Sequence, residues 1–176
     1  LIWQDFENGK IAQKELKSKR FSQLADALNL SFDASDFSDN YLINLSKGAE
    51  LIDDAEELIQ YLIHKARLFL ITNGLTIVQR PRIKNSTIGK YFDGVIISEE
   101  VGFAKPQKEI FDLAFDMMGN PSKNEVLIIG DSLSSDIAGG LNYGIDTCWF
   151  NPNSNDSEND IIPTYEIQHL LEILKL

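Results

Sequence analysis

Three short groups of residues carry side chains suited to phosphate and metal chemistry: Thr72-Asn73-Gly74, Lys105-Pro106, and Gly130-Asp131 with the nearby Asp136. A hydroxyl, an amide and a glycine backbone, as in Thr72, Asn73 and Gly74, can cradle phosphate oxygens without adding charge. Taken alone, Asn-Gly is also an ordinary turn dipeptide. Lys105 stands just before a helical pattern, where it can face an anion while the helix N-terminus adds its partial positive charge. Taken alone, it reads as a solvated lysine. Asp131 directly follows an apolar run and a glycine. A carboxylate there is partly dehydrated and needs a counter-charge. Magnesium suits it, because that ion prefers oxygen ligands and keeps several waters. Asp136, in the first turn of the next helix, can join the metal shell directly or through water. The plainer reading is that both aspartates cap that helix.

The elements around these groups explain why they belong together. Leu68–Ile71, Val95–Ile97, Val126–Ile129 and Thr147–Phe150 are short apolar runs. Helical patterns separate them, near 75–87, 107–118 and 133–143, with Pro81 expected to kink or restart the first and Pro106 suited to the first turn of the second. A last helix is expected near 166–175, after a polar loop at 151–160. Apolar runs alternating with helices indicate βαβ units and a parallel sheet covered on both faces. In such α/β sheets ligands bind beyond the carboxyl ends of the strands, which is where all three groups lie. Upstream, residues 9–28 form an amphipathic pattern through Ile11, Leu16, Phe21, Leu24 and Leu28. A second helix should follow the cap chemistry at Asp33–Asp36, and a third should carry Ala55, Leu58, Ile59 and Leu62. Residues 1–46 show no strand signal.

Composition narrows the function classes. With 43% apolar residues and a formal charge of −11, the chain of 176 residues can build a core but should repel nucleic acid and anionic membrane. A small anionic substrate remains compatible with an acidic protein, since a local site can be positive. The single cysteine, Cys148, lies in an apolar run and reads as a buried, inert thiol. It fits a reducing, cytoplasmic setting. No apolar run approaches the roughly 18 residues of a membrane span. His64 and His169 are far apart and show no metal spacing. Glu99 and Glu100 read as a solvated loop.

Taken in order, the three groups resemble motifs of the haloacid dehalogenase superfamily of phosphohydrolases. Leu70-Ile71-Thr72-Asn73-Gly74 looks like its second motif, Gly102-Phe103-Ala104-Lys105-Pro106 like its third, and Gly130-Asp131 through Ser135-Asp136 like its fourth. The stretches Ile97–Gly102 and Thr147-Cys148-Trp149 look most like the house-cleaning 5′-nucleotidases that act on pyrimidine nucleotides. The resemblance implies a Rossmann-like three-layer α/β core over 47–176, with part of a helical cap at 1–46. It implies a magnesium-dependent phosphatase working through an aspartyl-phosphate, which splits phosphoryl transfer into two easier steps. Asp131 would bind magnesium and Asp136 would support it. Thr72, Asn73 and Gly74 would hold the phosphate, and Lys105 would bind phosphate and nucleophile together. The substrate would be a small phosphorylated molecule, a nucleoside monophosphate by the subgroup resemblance.

The family's first motif, a strand followed by Asp-x-Asp, is not found in this sequence. Its strand would lie centrally, between Leu68–Ile71 and Val126–Ile129. Without it the sheet should contain a slot about 9–10 Å wide, flanked by unpaired backbone groups. The expectation is that some tens of residues before Leu1 supply that strand and the carboxylates. Other readings are a sugar-phosphate or phosphoglycolate phosphatase of the same superfamily, a metal-independent dehalogenase, a phospho-acceptor receiver domain, and, for a chain with no more to it, a non-catalytic binding protein.

Overall fold

Asp33 accepts hydrogen bonds from the main-chain N–H groups of Ser35 and Asp36, at 2.8 and 3.0 Å. It thereby satisfies donors that the first turn of a helix leaves open. The helix it caps is α2 (Ala34–Lys47), which follows α1 (Gln13–Leu28). The computed structural model describes residues 2, 5, 10, 11, 13–156 and 161–176, so the first residues of the expected 9–28 helix lie partly outside them. The two helices pack through Phe21, whose ring centroid is 5.0 Å from that of Phe37 and 5.2 Å from that of Tyr41. Leu42 of α2 is buried against Leu75 and Val78, at the start of α4 (Thr76–Asn85), which follows α3 (Ala55–Leu62).

Every strand pairing is parallel. β1 (Phe69–Thr72) pairs with β2 (Gly94–Ile97), aligning Thr72 with Ile97. β3 (Leu127–Gly130) pairs with β4 (Asp146–Phe150), aligning Gly130 with Trp149, and β4 pairs with β5 (Tyr165–Ile167). The short helix α5 (Ser98–Val101), then α6 (Lys108–Met118) and α7 (Ala138–Tyr143), complete the α/β alternation. Apolar residues fill both faces of the sheet. One cluster joins Ile96 to Ile110, Phe111, Phe115 and Tyr143; the other joins Cys148 and Ile167 to Leu58 and Ile173. The expected α/β architecture with a parallel sheet packed on both faces is the one observed.

The sheet is interrupted where the slot was expected. β1–β2 and β3–β4–β5 are separate, and no strand among the described residues joins β1 to β3. Between them lies a cavity of about 510 Å³ lined by Phe69–Ile71, Leu127–Ile129, Leu58, Leu62, Phe111 and Phe115. Its openness shows at Ile129, which is 38% exposed in the middle of β3. By contrast Thr147, Cys148 and Trp149, on a strand paired along both edges, are at most 4% exposed.

Four local expectations need correction. The segment 166–175 is not one helix: it forms β5 and a 3-10 helix, Leu170–Lys175. Pairing with β4 outweighs the helical pattern there. The expected helix at 133–143 begins as a π-helical turn, Leu133–Ile137, before α7. Helix α4 runs through Pro81 without a break, although proline has no N–H for the helix ladder. Pro106 lies outside the first turn of α6, whose N-cap is Gln107, and the Lys105–Pro106 peptide is cis.

Candidate active site

The strand ends bring the three sequence groups together around Lys105. Its main chain is held by Asn73: the Lys105 N–H donates to Asn73 Oδ1, and Asn73 Nδ2 donates to the Lys105 carbonyl, both at 2.8 Å. The two bonds tie the loop after β1 to the segment that precedes α6. The Lys105 side chain then reaches inward. Its Nζ donates to the Ile71 carbonyl at 2.8 Å and to Asp136 Oδ1 at 2.5 Å. The two side chains are 10% and 8% exposed, so this is a buried ion pair rather than a surface contact. Lys105, Ile71 and Asp136 all line the cavity between the two halves of the sheet, and the ammonium group bridges them at its carboxyl end.

Asp136 is held from a second side. Its Oδ2 accepts from the Ser132 N–H at 3.1 Å. Ser132 Oγ accepts from the Ser135 N–H at 3.2 Å, so Ser132, and neither aspartate, caps the turn. Gly130 makes room for this arrangement. A Cβ built there would lie 2.3 Å from Asp136 Cγ. Asp131 differs from Asp136: it is exposed, and its carboxylate has no hydrogen bond or ion pair among the described residues. Thr72 Oγ1 accepts from the Gly74 N–H at 3.0 Å, which sets the turn after β1. Asn73 retains one amide hydrogen beyond its bond to Lys105, and the Thr72 hydroxyl hydrogen is free to turn toward a ligand.

The donor set fits a magnesium ion. Among the described residues no group of three His, Cys, Asp or Glu side chains could hold a metal. Magnesium does not need one, since it commonly binds through one or two carboxylates, waters and substrate phosphate oxygens. Asp131, directly after β3, offers one exposed carboxylate that has no hydrogen bond or ion pair among the described residues. Asp136 is committed to Lys105 and Ser132, which suits it to support rather than direct coordination.

Sequence reasoning missed two features. Glu99 and Glu100, read as a solvated loop, form part of α5 and are engaged. Glu99 Oε2 accepts from the Thr76 N–H at 2.7 Å and Oε1 lies 2.9 Å from Lys17 Nζ of α1. Burial opposes ionisation of Glu99, but Lys17 and the Thr76 N–H outweigh it and hold the carboxyl below its ordinary range. Glu100 is lowered by its bidentate contact with Arg80. The other feature is the Trp149 indole, whose Nε1–H donates to the Asp131 carbonyl at 3.1 Å. In sequence Trp149 gave an apolar signal and a share of the subgroup resemblance, neither of which points to this hydrogen bond. The one further hint was that a buried indole usually finds an acceptor.

A parallel α/β sheet with a hydroxyl, an amide, a lysine and two carboxylates gathered beyond its strand ends is the layout of a phosphate-handling hydrolase. Comparison with known proteins agrees. The model of the haloacid dehalogenase-like hydrolase family matches residues 3–144. The Bacillus subtilis protein YfnB is 39% identical over 172 residues, covering 98% of this chain and 73% of YfnB. The pyrimidine 5′-nucleotidase YjjG of Escherichia coli is 35% identical over 175 residues, covering 99% of this chain and 77% of YjjG. A crystal structure of YfnB bound to magnesium superimposes with a TM-score of 0.92 at 38% identity, covering 99% of this chain and 76% of that one. The chain belongs to the haloacid dehalogenase-like hydrolases, and within them it is a phosphomonoesterase.

Proposed function

We propose that the protein, in its complete form, is a magnesium-dependent 5′-nucleotidase that cleaves pyrimidine nucleoside monophosphates through an aspartyl-phosphate. The observation that carries this reading is the meeting of Asn73, Lys105 and Asp136 beside the cavity between β1 and β3, with Thr72 at the end of β1 and Asp131 directly after β3. The similarity to YjjG, a pyrimidine 5′-nucleotidase, supports the substrate class. The magnesium in the YfnB structure supports the ion.

In this reading the cavity receives a strand that brings the attacking carboxylate beside Lys105. Lys105 neutralises charge on the phosphoryl group and the carboxylate together, and Asn73 keeps it in place. Thr72 Oγ1, the Gly74 backbone and the remaining Asn73 amide hydrogen orient the phosphoryl oxygens. Asp131 holds the ion, which when bound supplies charge stabilisation to the transferring group. Asp136 fixes Lys105 and the turn that carries Asp131. Helix α1, within the 1–46 cap segment, reaches this end of the sheet through the Lys17–Glu99 contact, and α2 follows it as far as Lys47. Among the described residues no helix is long and apolar enough to cross a membrane. The lone, buried Cys148 fits a reducing compartment, and on that ground we place the activity in the cytoplasm.

Phosphate release tests the proposal. The complete protein should hydrolyse uridine and thymidine monophosphates faster than sugar phosphates or phosphoglycolate. Chelation of magnesium and Asp131→Ala should each abolish turnover. Preference for a sugar phosphate would replace the nucleotidase reading with another phosphatase of the family. Full activity of Asp131→Ala would remove Asp131 from the metal site.

A further inference from the structure

The peptide unit joining Asp131 to Ser132 is held at both of its polar ends. Its carbonyl, on Asp131, accepts from Trp149 Nε1 at 3.1 Å. Its N–H, on Ser132, donates to Asp136 Oδ2 at 3.1 Å. This is the first peptide whose two residues both lie beyond β3, whose ladder with β4 ends at Gly130 and Trp149, so strand pairing no longer fixes it. Trp149 is itself rigid: it is 4% exposed, on a strand paired along both edges. The Asp131 side chain, in contrast, is exposed and unpartnered among the described residues. A fixed backbone beneath a free carboxylate is the arrangement of a ligand oriented before its ion arrives.

We infer that Trp149 is a positioning residue for the cation site, acting through the Asp131 carbonyl. Resting on the magnesium role of Asp131 proposed above, the inference adds a residue from the neighbouring strand. The indole N–H restrains the rotation of the peptide about the Asp131 Cα–C bond. Without it the Asp131 carboxylate samples more orientations, and cation affinity falls although every ligand is still present. Because the indole touches that peptide directly, its emission should also respond when Asp131 takes up a cation.

Magnesium titrations of the complete protein by calorimetry test this. Trp149→Phe keeps an aromatic ring in the core but removes the N–H, and it should weaken magnesium binding about tenfold. Ile167→Val, a core truncation on β5, controls for destabilisation and should leave the affinity unchanged. Wild-type affinity in Trp149→Phe, or an equal loss in Ile167→Val, would overturn the inference while leaving the metal role of Asp131 intact. Absence of magnesium binding in the wild type would overturn both. A second measurement leaves position 149 untouched. The sequence has two tryptophans, Trp3 and Trp149, so replacing Trp3, and any tryptophan of the segment that completes the sheet, by Phe makes Trp149 the sole indole. Its emission should shift with magnesium at the calorimetric midpoint, and a cation bound with no change in emission would overturn the inference.

Discussion

Lys105 and Asp136 form a buried ion pair, 2.5 Å between Nζ and Oδ1, at the end of the gap between the two halves of the sheet. Because Nζ also donates to the Ile71 carbonyl of β1, this one lysine links the β1 side of the gap to the turn after β3. The pair therefore has a structural consequence as well as a chemical one.

Removing one partner of a buried ion pair strands the other charge, at a cost of about 3–5 kcal/mol. Asp136→Ala should destabilise the protein by that order in urea unfolding, since it also frees the Ser132 N–H. Adding Lys105→Met to it should recover much of the loss, because the stranded ammonium is gone. Both variants should lack phosphatase activity. A double variant no more stable than Asp136→Ala would show that stranded charge is not the cause.

Gly130 is required by the same pair. The Asp136 carboxylate is pinned by Lys105 and the Ser132 N–H, so it cannot swing away from a Cβ placed 2.3 Å from its Cγ. Gly130→Ala should cost about 1–3 kcal/mol, as overpacking commonly does. It should also lower turnover by displacing Asp136 and, through it, Lys105. Wild-type stability together with wild-type turnover would show that the turn yields where the geometry says it is fixed.

Much of this site could be read in the sequence because strand ends mark it. Thr72 and Asp131 close or follow apolar runs, and Lys105 precedes a helix, so their order along the chain reports their meeting in space. The slot could be read only through the family resemblance, which implies a central strand ending in Asp-x-Asp between Leu68–Ile71 and Val126–Ile129 that this sequence does not contain. The partners were harder to see. Nothing local to Asn73 announces that its amide will clamp the Lys105 main chain, and nothing local to Asp136 announces its pairing with Lys105. Lys17 and Glu99 meet only because α1 folds back over the sheet. The 166–175 pattern was misread because pairing with β4, a tertiary term, decided the conformation of Tyr165–Ile167.

Cys148 gives a direct check on the packing of β4. Burial, with a smaller contribution from Glu172, pushes its thiol up to about 11, and the residue is fully buried. Thiolate is the reactive form, so native protein at pH 8 should react with a disulfide reagent far more slowly than unfolded protein. Release of one thiol per chain should appear on adding denaturant. Reaction of the native protein at the rate of a free cysteine would mean that the packing around β4 opens readily.

The contact between α1 and the core should depend on pH through Glu99. Its partners hold the carboxyl below the ordinary value of 4.5, against the opposing effect of burial. With the folded-state pKa below the unfolded one, its stabilisation is complete above the unfolded value. It is lost as pH falls through the folded one. Lys17 and Glu99 are partly exposed, with side-chain accessibilities of 36% and 26%, so screening keeps their coupling to about 0.2–1 kcal/mol. A double-mutant cycle with Lys17→Met and Glu99→Gln, followed by urea unfolding from pH 3 to 7, should show that coupling at neutral pH. The coupling should shrink toward zero at the acid end as Glu99 protonates. It should also weaken in high salt, because both groups border solvent. A coupling that stays constant from pH 7 to pH 3 would mean that packing of α1, rather than the ion pair, carries the contact.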